Sequence, residues 1–587
     1  MKWFAALLLL VVVFLGLIFS VGRSSTREAD LIFISGDDLH FLDPQRSSWM
    51  VDFRILTCLY DTLILQNIAD DTLEPGIAER WEISEDGLTY TFHLREAKWS
   101  NGDPVRSRDF VYGWRRALLP DFAADYTTML YHIRGGEDFF NFRQQQLAEY
   151  AKLPESEKSV EKASALYEEA LRKFDEIVGI ETPDDRTLIV HLAHPTAYFL
   201  ELVSFMTFSP VHEASIEKFV SLSAATGMLQ QNADYFQPGN IVSNGPYVLK
   251  RRRPKRDLLL VANEHYWNRQ AMQNNSVLMK VITDTLNAMT TYETGEADWY
   301  PDVKSVERMA AELKASGRRD LHVYPSCGTY FFIFNCSPTL PESGEKNPFA
   351  DARVRRAFSM AIDREQIVKQ VTMLDQPIAY TLTPPNVFPG YEPPVDAGVR
   401  FDPEEARRLL AEAGYPNGQG MPRLKLLYNS DGGHNAISQQ LQRTWLEVLN
   451  VHVELDSRDA KIFGQERRAH KFAIARGNWF GDYRDPTTFL QLLHSRDGNN
   501  NGLYANPEYD ALLEKAAREN DPQKRFAILR DAERLLMQEQ AVAPVFHYID
   551  LELFDPQRVL NVNPNAMKNR RIDQIRVVRS EVEVAAR

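Results

Sequence analysis

A chain of 587 residues exceeds what one hydrophobic core organises, so two or three domains are expected. Its 44% hydrophobic and 25% charged residues describe an ordinary globular protein. A formal net charge of −14 argues against nucleic acid as a partner and would be repelled by an anionic membrane surface.

After Met1-Lys2, residues Trp3 to Gly22 form one apolar run, long enough to span a bilayer and longer than the apolar part of a typical signal peptide. Ser20-Val21-Gly22 offers small residues for cleavage, and the absence of a following cysteine excludes lipid attachment there. Residues 1–26 are therefore expected to be a signal peptide or a membrane anchor, with the anchor slightly favoured. Either way the rest of the chain lies outside the cytoplasmic membrane, periplasmic or otherwise extracytoplasmic. No second apolar stretch suggests a channel or permease.

Asp30 to Leu42 predicts a strand and loop, and Phe53 to Leu65 a helical or mixed segment. Glu79 to Leu94 alternates as a hairpin about Glu85-Asp86-Gly87. A helix starting at Ser107 carries Phe110, Val111, Trp114 and Leu118. Gln144 to Glu176, rich in Glu, Lys and Ala and broken at Leu153-Pro154, predicts one or two exposed surface helices. Asp185 to Leu192 predicts a strand. A hairpin follows, with strands to Leu249 and over Leu258 to Ala262; its tip, Arg251 to Arg256, is expected to be solvated. A short helix spans Asn287 to Thr294, and Tyr330 to Asn335 is an apolar strand. Asp351 to Val371 predicts one amphipathic helix, with Val354, Ala357, Phe358, Ala361, Ile362 and Ile367 on one side. Helices over Glu404 to Ala413, Ala436 to Leu449, Glu508 to Glu519 and Pro522 to Glu539 alternate with strands at Leu424 to Tyr428, Val451 to Leu455, Phe472 to Ile474 and Val542 to Tyr548. That alternation predicts a mixed α/β domain around a largely parallel sheet.

The stretch Ile474 to Phe489 concentrates chemistry: one strand end, Arg476, three aromatics, Asp482, and a helix start at Asp485-Pro486-Thr487. Arg476 and Asp482 stand six residues apart. Extended chain covers roughly 20 Å in that distance, too far for a local ion pair but suited to the two charged ends of an extended zwitterion. The backbone of Gly477 to Gly481 would then face the ligand's backbone, as in strand addition with charge caps. The plainer interpretation, a strand-loop-helix junction with solvated or locally paired charges, is favoured on these residues alone.

Enzyme signatures are missing. There is no Gly-x-Ser-x-Gly, His-Glu-x-x-His, phosphate loop or Gly-x-Gly-x-x-Gly. Thirteen histidines form no metal-spaced cluster, and His93, His191 and His194 near strands are most simply structural. Asp482 with Asp485 could act as acid and base, but helix capping is the blander role for Asp485. Cys58, Cys327 and Cys336 leave at least one free thiol, and a strand between the last two argues against their pairing. No metal or cofactor is expected.

The ordered set of segments then resembles a known family. It comprises Glu74 to Trp81, Phe92 to Arg95, Trp99 to Val105, Asp109 to Trp114, Asn240 to Tyr247, Tyr266-Trp267-Asn268, Pro348 to Arg364, Leu409 to Tyr415, Leu426 to Ser430, Gly481 to Pro486 and Pro544 to Tyr548. In order and spacing these resemble the extracytoplasmic solute-binding proteins of ABC peptide importers, family 5, nearest the oligopeptide-binding branch. The resemblance implies a two-lobed, periplasmic-binding-protein-like α/β clamp of three domains with mixed sheets and a two-strand hinge near Ser326 and Tyr548. It implies domain I over 27–60, 214–326 and 549–587, domain II over 61–213 with the 144–176 insert, and domain III over 327–548. Binding of short peptides without chemistry, delivery to a membrane permease and a monomeric state follow as expectations.

It also implies site residues. Asp482 matches the carboxylate that binds a peptide α-ammonium. Arg476 and His434 match cations for the α-carboxylate. Tyr126 and Tyr548 match tyrosines of the cleft, and Trp479 an aromatic wall. Gly477, Asn478, Trp479 and Phe480 match a strand along the peptide, and Ser48, Trp49 and Met50 the segment opposite. Departures stand at Thr372 for a lysine, Ile333 for a glutamate, Ala460 for a tryptophan, and Phe480 for the partner of Cys327 in a disulfide. Plain structural roles are weighed beside these: an internal salt bridge for Arg476, a surface position for His434, core packing for the tyrosines. Relatives bind nickel complexes, haem precursors, murein peptides or sugars, and fold does not fix ligand. An anchored sensor or chaperone-like protein using the 144–176 helices, and an amidase or peptidase, are the alternatives of other classes.

Overall fold

The structure is a computed structural model describing residues 27–67, 72–303, 307–430 and 432–579. The apolar run of residues 3–22 lies outside the described residues; within them no helix is long and apolar enough to cross a membrane.

One ten-stranded sheet runs through the molecule. From one edge its strands are Tyr247–Arg253, Asp257–Ala262, Ser276–Val281, Leu31–Ser35, Trp299–Tyr300, Val542–Phe554, Leu321–Phe334, Ile474–Phe480, Leu424–Asn429 and Val453–Arg458. The two longest, Leu321–Phe334 and Val542–Phe554, pair antiparallel at the middle and carry the chain from one lobe to the other. Their register slips: Pro325 faces Ile549 and Thr329 faces His547, so Ser326, Cys327 and Gly328 stand opposite Tyr548 alone. Extra residues on one strand bend it and increase its twist.

The outer three strands of the second lobe are parallel, but they join the crossing strands antiparallel, so the sheet there is mixed rather than largely parallel. Alternation along Tyr330 to Phe334 builds two cores. Tyr330, Phe332 and Phe334 pack with Phe358 and Trp445 on one face. Phe331 and Ile333 pack with Phe388, Phe489 and Leu529 on the other.

In the first lobe, Ala78–Ile83, Thr89–Leu94, Thr187–His191 and Ile180–Asp184 form an antiparallel sheet. The helix Ser107–Leu118 is tied to the preceding turn by Asp109, which accepts from the Trp99 indole at 3.0 Å and the Arg106 amide at 2.8 Å.

Several expectations change. The helix predicted over Asp351 to Val371 is broken: Ala352–Met360 ends, and Asp363 caps a new turn by accepting from the Gln366 amide. Its six apolar side chains remain buried on one side. The strand expected to end at Leu249 continues to Arg253, because Asp257 pairs with both Arg251 and Arg253 and Glu28 with Arg251. The basic run is thus neutralised rather than simply solvated. The strand expected from Tyr330 begins at Leu321, and Phe472 to Ile474 is where a strand starts, not where it ends.

The helical insert begins earlier, as Gly136–Ala151 and Val160–Ile177, and is better anchored than its composition suggests. Phe139 meets Phe174 edge-on at 5.2 Å between centroids. Arg143 and Asp121, both fully buried, form a bidentate pair, and Arg143 also donates to the Gly227 carbonyl at 2.9 Å. Removing one partner of such a pair leaves a buried charge uncompensated. Arg143→Ala should therefore destabilise this lobe by about 3–5 kcal/mol, read as an earlier transition in urea unfolding; an unshifted transition would show that the pair does not hold the insert.

Candidate functional site

The chain leaves the sheet at Gly481, and Asp482 follows. The Gly481 amide donates to the Cys327 carbonyl at 2.8 Å, and a Cβ on Gly481 would lie 2.5 Å from the Cys327 sulfur. Only a glycine lets the strand pass this close to the hinge. The Asp482 amide donates to the Thr488 hydroxyl at 3.0 Å, which fixes where the side chain points.

The Asp482 carboxylate enters a cavity of about 480 Å³ between the lobes, lined also by Ser48, Trp49, Met50, Tyr126 and Phe480. Its Oδ1 accepts from the Tyr126 hydroxyl at 2.8 Å, a bond from one lobe to the other. Burial pushes the Asp482 carboxyl up to about 7, and among the described residues no cation offsets the effect. Burial also pushes the Tyr126 phenol upward, reinforced by the adjoining carboxylate. The Tyr126 ring is held by Phe205 at 4.9 Å and Phe53 at 6.2 Å, so it serves the first lobe's core and the cavity together. A second contact joins the lobes nearby: Tyr198 stacks on Tyr483 at 5.1 Å, with the Arg525 guanidinium 5.3 Å from the Tyr198 ring.

Asp485 takes no part in the cavity wall. It accepts from the Thr487 amide at 3.0 Å and forms a buried pair with Arg525, so capping and ion pairing replace any acid-base role.

A second cavity, of about 700 Å³, adjoins the crossing strands and shares Lys568 with the first. His434, Tyr330, Tyr548 and Thr372 line it. His434 opens the helix His434–Leu449 after Gly432 and Gly433, both at positive φ, and is buried rather than on the surface. Arg476 lies behind this wall, 8% exposed. It donates to the Tyr548 hydroxyl at 3.4 Å and the Asn429 side chain at 3.5 Å, and sits 5.2 Å from the Tyr330 ring. Internal hydrogen bonds thus hold Arg476, with no acidic partner among the described residues. Tyr548 packs on Phe480 at 4.7 Å.

Asp482 therefore lines the first cavity, just past one end of the strand Ile474–Phe480, while Arg476, near its other end, lines neither cavity and lies behind the wall of the second. Along that strand, Leu424–Asn429 pairs only with Ile474 and Ala475, so Arg476 to Phe480 have a sheet partner on one edge, Leu321–Phe334. Gly477 and Trp479 face the other way from Arg476. A Cβ on Gly477 would meet the Phe331 ring at 2.5 Å, and Trp479 packs in the Phe331 cluster, lining neither cavity. Asn478 pairs in register with Tyr330. Ser48 hydrogen-bonds Asp125, and Trp49 stacks on His40 at 4.3 Å.

Of the departures, Thr372 is turned into its own helix and donates to Gln376 at 2.6 Å, Ile333 is core, and Ala460 opens an exposed helix. Cys58, Cys327 and Cys336 are all free thiols. Among the described residues no group of three His, Cys, Asp or Glu is placed to hold a metal ion.

Sequence reasoning missed Lys568, Asp550 and Asp302 beside the hinge. Lys568 bridges to Asp550 at 2.5 Å, and Arg54 donates to Asp302 at 2.7 Å. Against the opposing effect of burial, Arg54 and Lys568 hold Asp302 down to about 2. These residues come from four distant chain segments with no local motif, so only the fold could have assembled them.

Two lobes on a shared sheet, closed over a cavity with an unneutralised carboxylate, are the features of a binding protein for a solute. The chain belongs to the bacterial extracellular solute-binding proteins, family 5, whose model matches residues 72–501. It is 32% identical over 491 residues to the oligopeptide-binding protein OppA of Bacillus subtilis, covering 82% of this chain and 81% of that one. Among solved structures it is similar to the murein tripeptide binding protein MppA of Escherichia coli, with a TM-score of 0.74, 28% identity, and 94% and 99% of the two chains covered. It is also similar to Haemophilus influenzae OppA in complex with RPPGFSPFR, with a TM-score of 0.72, 26% identity, and the same coverage.

The raised Asp482 carboxyl has a consequence for closure. In an open, hydrated cleft the group would titrate near its ordinary 3.8, whereas burial between the lobes raises it to about 7. Between these values the closed form binds more protons, so acidification favours closing and alkalinity opposes it. Taking ligand-free protein from about pH 8 to about pH 5 should shrink its radius of gyration in small-angle scattering, and Asp482→Asn should remove that dependence. A radius independent of pH in the wild type would show that the carboxyl stays hydrated.

Proposed function

We propose that this protein binds short oligopeptides between its lobes and delivers them to the permease of an ABC-type importer on the outer side of the cytoplasmic membrane. The observation that carries the reading is the interlobe carboxylate of Asp482, buried, held by Tyr126 and without a cation. A peptide α-ammonium is a cation of the right size for it, and the kinship with OppA supports the peptide class. The one-sided edge of Arg476 to Phe480 offers backbone groups for a peptide strand. Arg476 and His434, by the second cavity, serve the peptide's α-carboxylate, directly or through Tyr548. Ser48, Trp49 and Met50 close the cavity from the first lobe. Trp479, Gly477 and Asn478 act through the strand they build.

In this reading residues 27–60, 214–326 and 549–587 with 61–213 form the first lobe, 327–548 the second, and the slipped register at Ser326 to Gly328 the hinge. The protein acts as a monomer and performs no chemistry on its cargo. Residues 3–22 provide the membrane contact. A murein peptide is the second reading, favoured by the likeness to MppA.

Asp482→Asn keeps shape and an acceptor but removes the charge. It should weaken peptides with a free N-terminus by about 2–5 kcal/mol, while N-acetylated peptides, already weak, change little. Arg476→Ala should cost less, and by an amount that varies with peptide length. Calorimetry of ligand-stripped protein with tri- to pentapeptides, free and acetylated, and with murein tripeptide, decides between the readings. Equal binding of free and acetylated peptides by wild type and Asp482→Asn would remove the ammonium assignment.

A further inference from the structure

The cavity that holds Asp482 carries more apolar surface than backbone recognition needs. Apart from Asp482, its charged and amide members are held by neighbours. Asp61 accepts from the Trp267 indole at 2.8 Å, Gln66 donates to Glu201 at 3.2 Å, Lys568 pairs with Asp550, Arg570 with Glu552 and Arg571 with Asp573. The surface left over is apolar. Phe53, Leu65, Phe205 and Met206 form the wall in the first lobe, and Met567 comes from the C-terminal segment. Trp49, Met50 and Phe480 are among the exposed large apolar side chains, at 51%, 41% and 39%, and all three line this cavity. Exposed apolar surface gathered in one concavity marks a binding site.

We infer that this cavity is a side-chain pocket that selects a bulky apolar first residue in the bound peptide. The inference rests on the peptide reading above and adds a preference at one position. In a peptide the α-ammonium and the first side chain leave the same carbon. An ammonium on Asp482 therefore delivers the first side chain beside Phe480, Tyr126 and Met50. The volume of about 480 Å³ is that of a ligand pocket and has room for any natural side chain. An acidic first side chain would lose its water here and lie among the carboxylates of Asp61, Glu201 and Asp482. A small polar one would leave the apolar walls wet. Met50, Met206 and Met567 are unbranched and repack readily, so the pocket distinguishes apolar from polar more sharply than one apolar shape from another.

The test is calorimetry of the ligand-stripped protein with tripeptides that differ only in the first residue (Leu, Met, Phe, Ser or Asp before Ala-Ala). The apolar three should bind within about threefold of one another and roughly 10- to 100-fold tighter than the Ser peptide, the transfer preference of one bulky side chain. The Asp peptide should be weakest. The double variant Trp49→Ser/Met50→Gln alters two exposed positions, so a thermal melt should match wild type, and it should reduce the Leu-over-Ser ratio to below about fivefold. Equal affinities for Leu, Ser and Asp peptides, or a preference unchanged in the double variant, would overturn the pocket while leaving the peptide reading standing. Absence of binding to every peptide would overturn both.

Discussion

Three residues set against one, in the middle of two long paired strands, is the constraint on which this architecture depends. Ser326 to Gly328 cannot continue the ladder opposite Tyr548, so the strands bend at that point. The neighbouring strand is bound to the same place through the Gly481 amide and the Cys327 carbonyl. Gly328 completes the fit, because a Cβ there would meet the Phe480 ring at 2.5 Å. Hinge, cavity wall and the approach to Asp482 are thus one piece of backbone. With the hinge proposed at Ser326 to Gly328, a rigid-body movement of the lobes would carry the carboxylate with the second lobe and Tyr126 with the first.

That coupling bears on the buried carboxylate of Asp482. A buried charge without a partner is disfavoured in a low-dielectric site. The closed form relieves it with a single hydroxyl from Tyr126. Under the proposed function a cationic ligand end would relieve it further, so the group proposed to recognise the ligand would also favour closure around it. The charged set at the hinge is self-contained by contrast: Arg54 with Asp302, Lys568 with Asp550 and Arg570 with Glu552 leave no net demand on the ligand.

Much of the fold was legible because its signals are local. The helices with Asp or Asn caps and proline at the first position, such as Pro403–Glu412, Pro507–Ala517 and Pro522–Glu539, begin within a residue or so of where their caps predict. The break after Met360 was not, since Asp363 reads equally as a surface residue of a continuing helix until its bond to the Gln366 amide is seen. The extension of the hairpin to Arg253 depended on Asp257 and Glu28, the latter more than two hundred residues away. Of the site, Asp482 stood out through a motif and a family resemblance. Lys568 and Met567 lie in an irregular segment whose sequence carries no periodicity. Phe205 and Met206 read as ordinary core.

The thiols carry a last consequence. Cys58 and Cys327 are buried, Cys336 is half-buried, and none is bonded to another. Burial pushes all three thiols above their ordinary range, away from the reactive thiolate. Beside Cys327 the neighbouring strand presents Phe480, which packs against Gly328 and Tyr548. No crosslink between these three thiols ties the lobes together, so a reductant has none there to break.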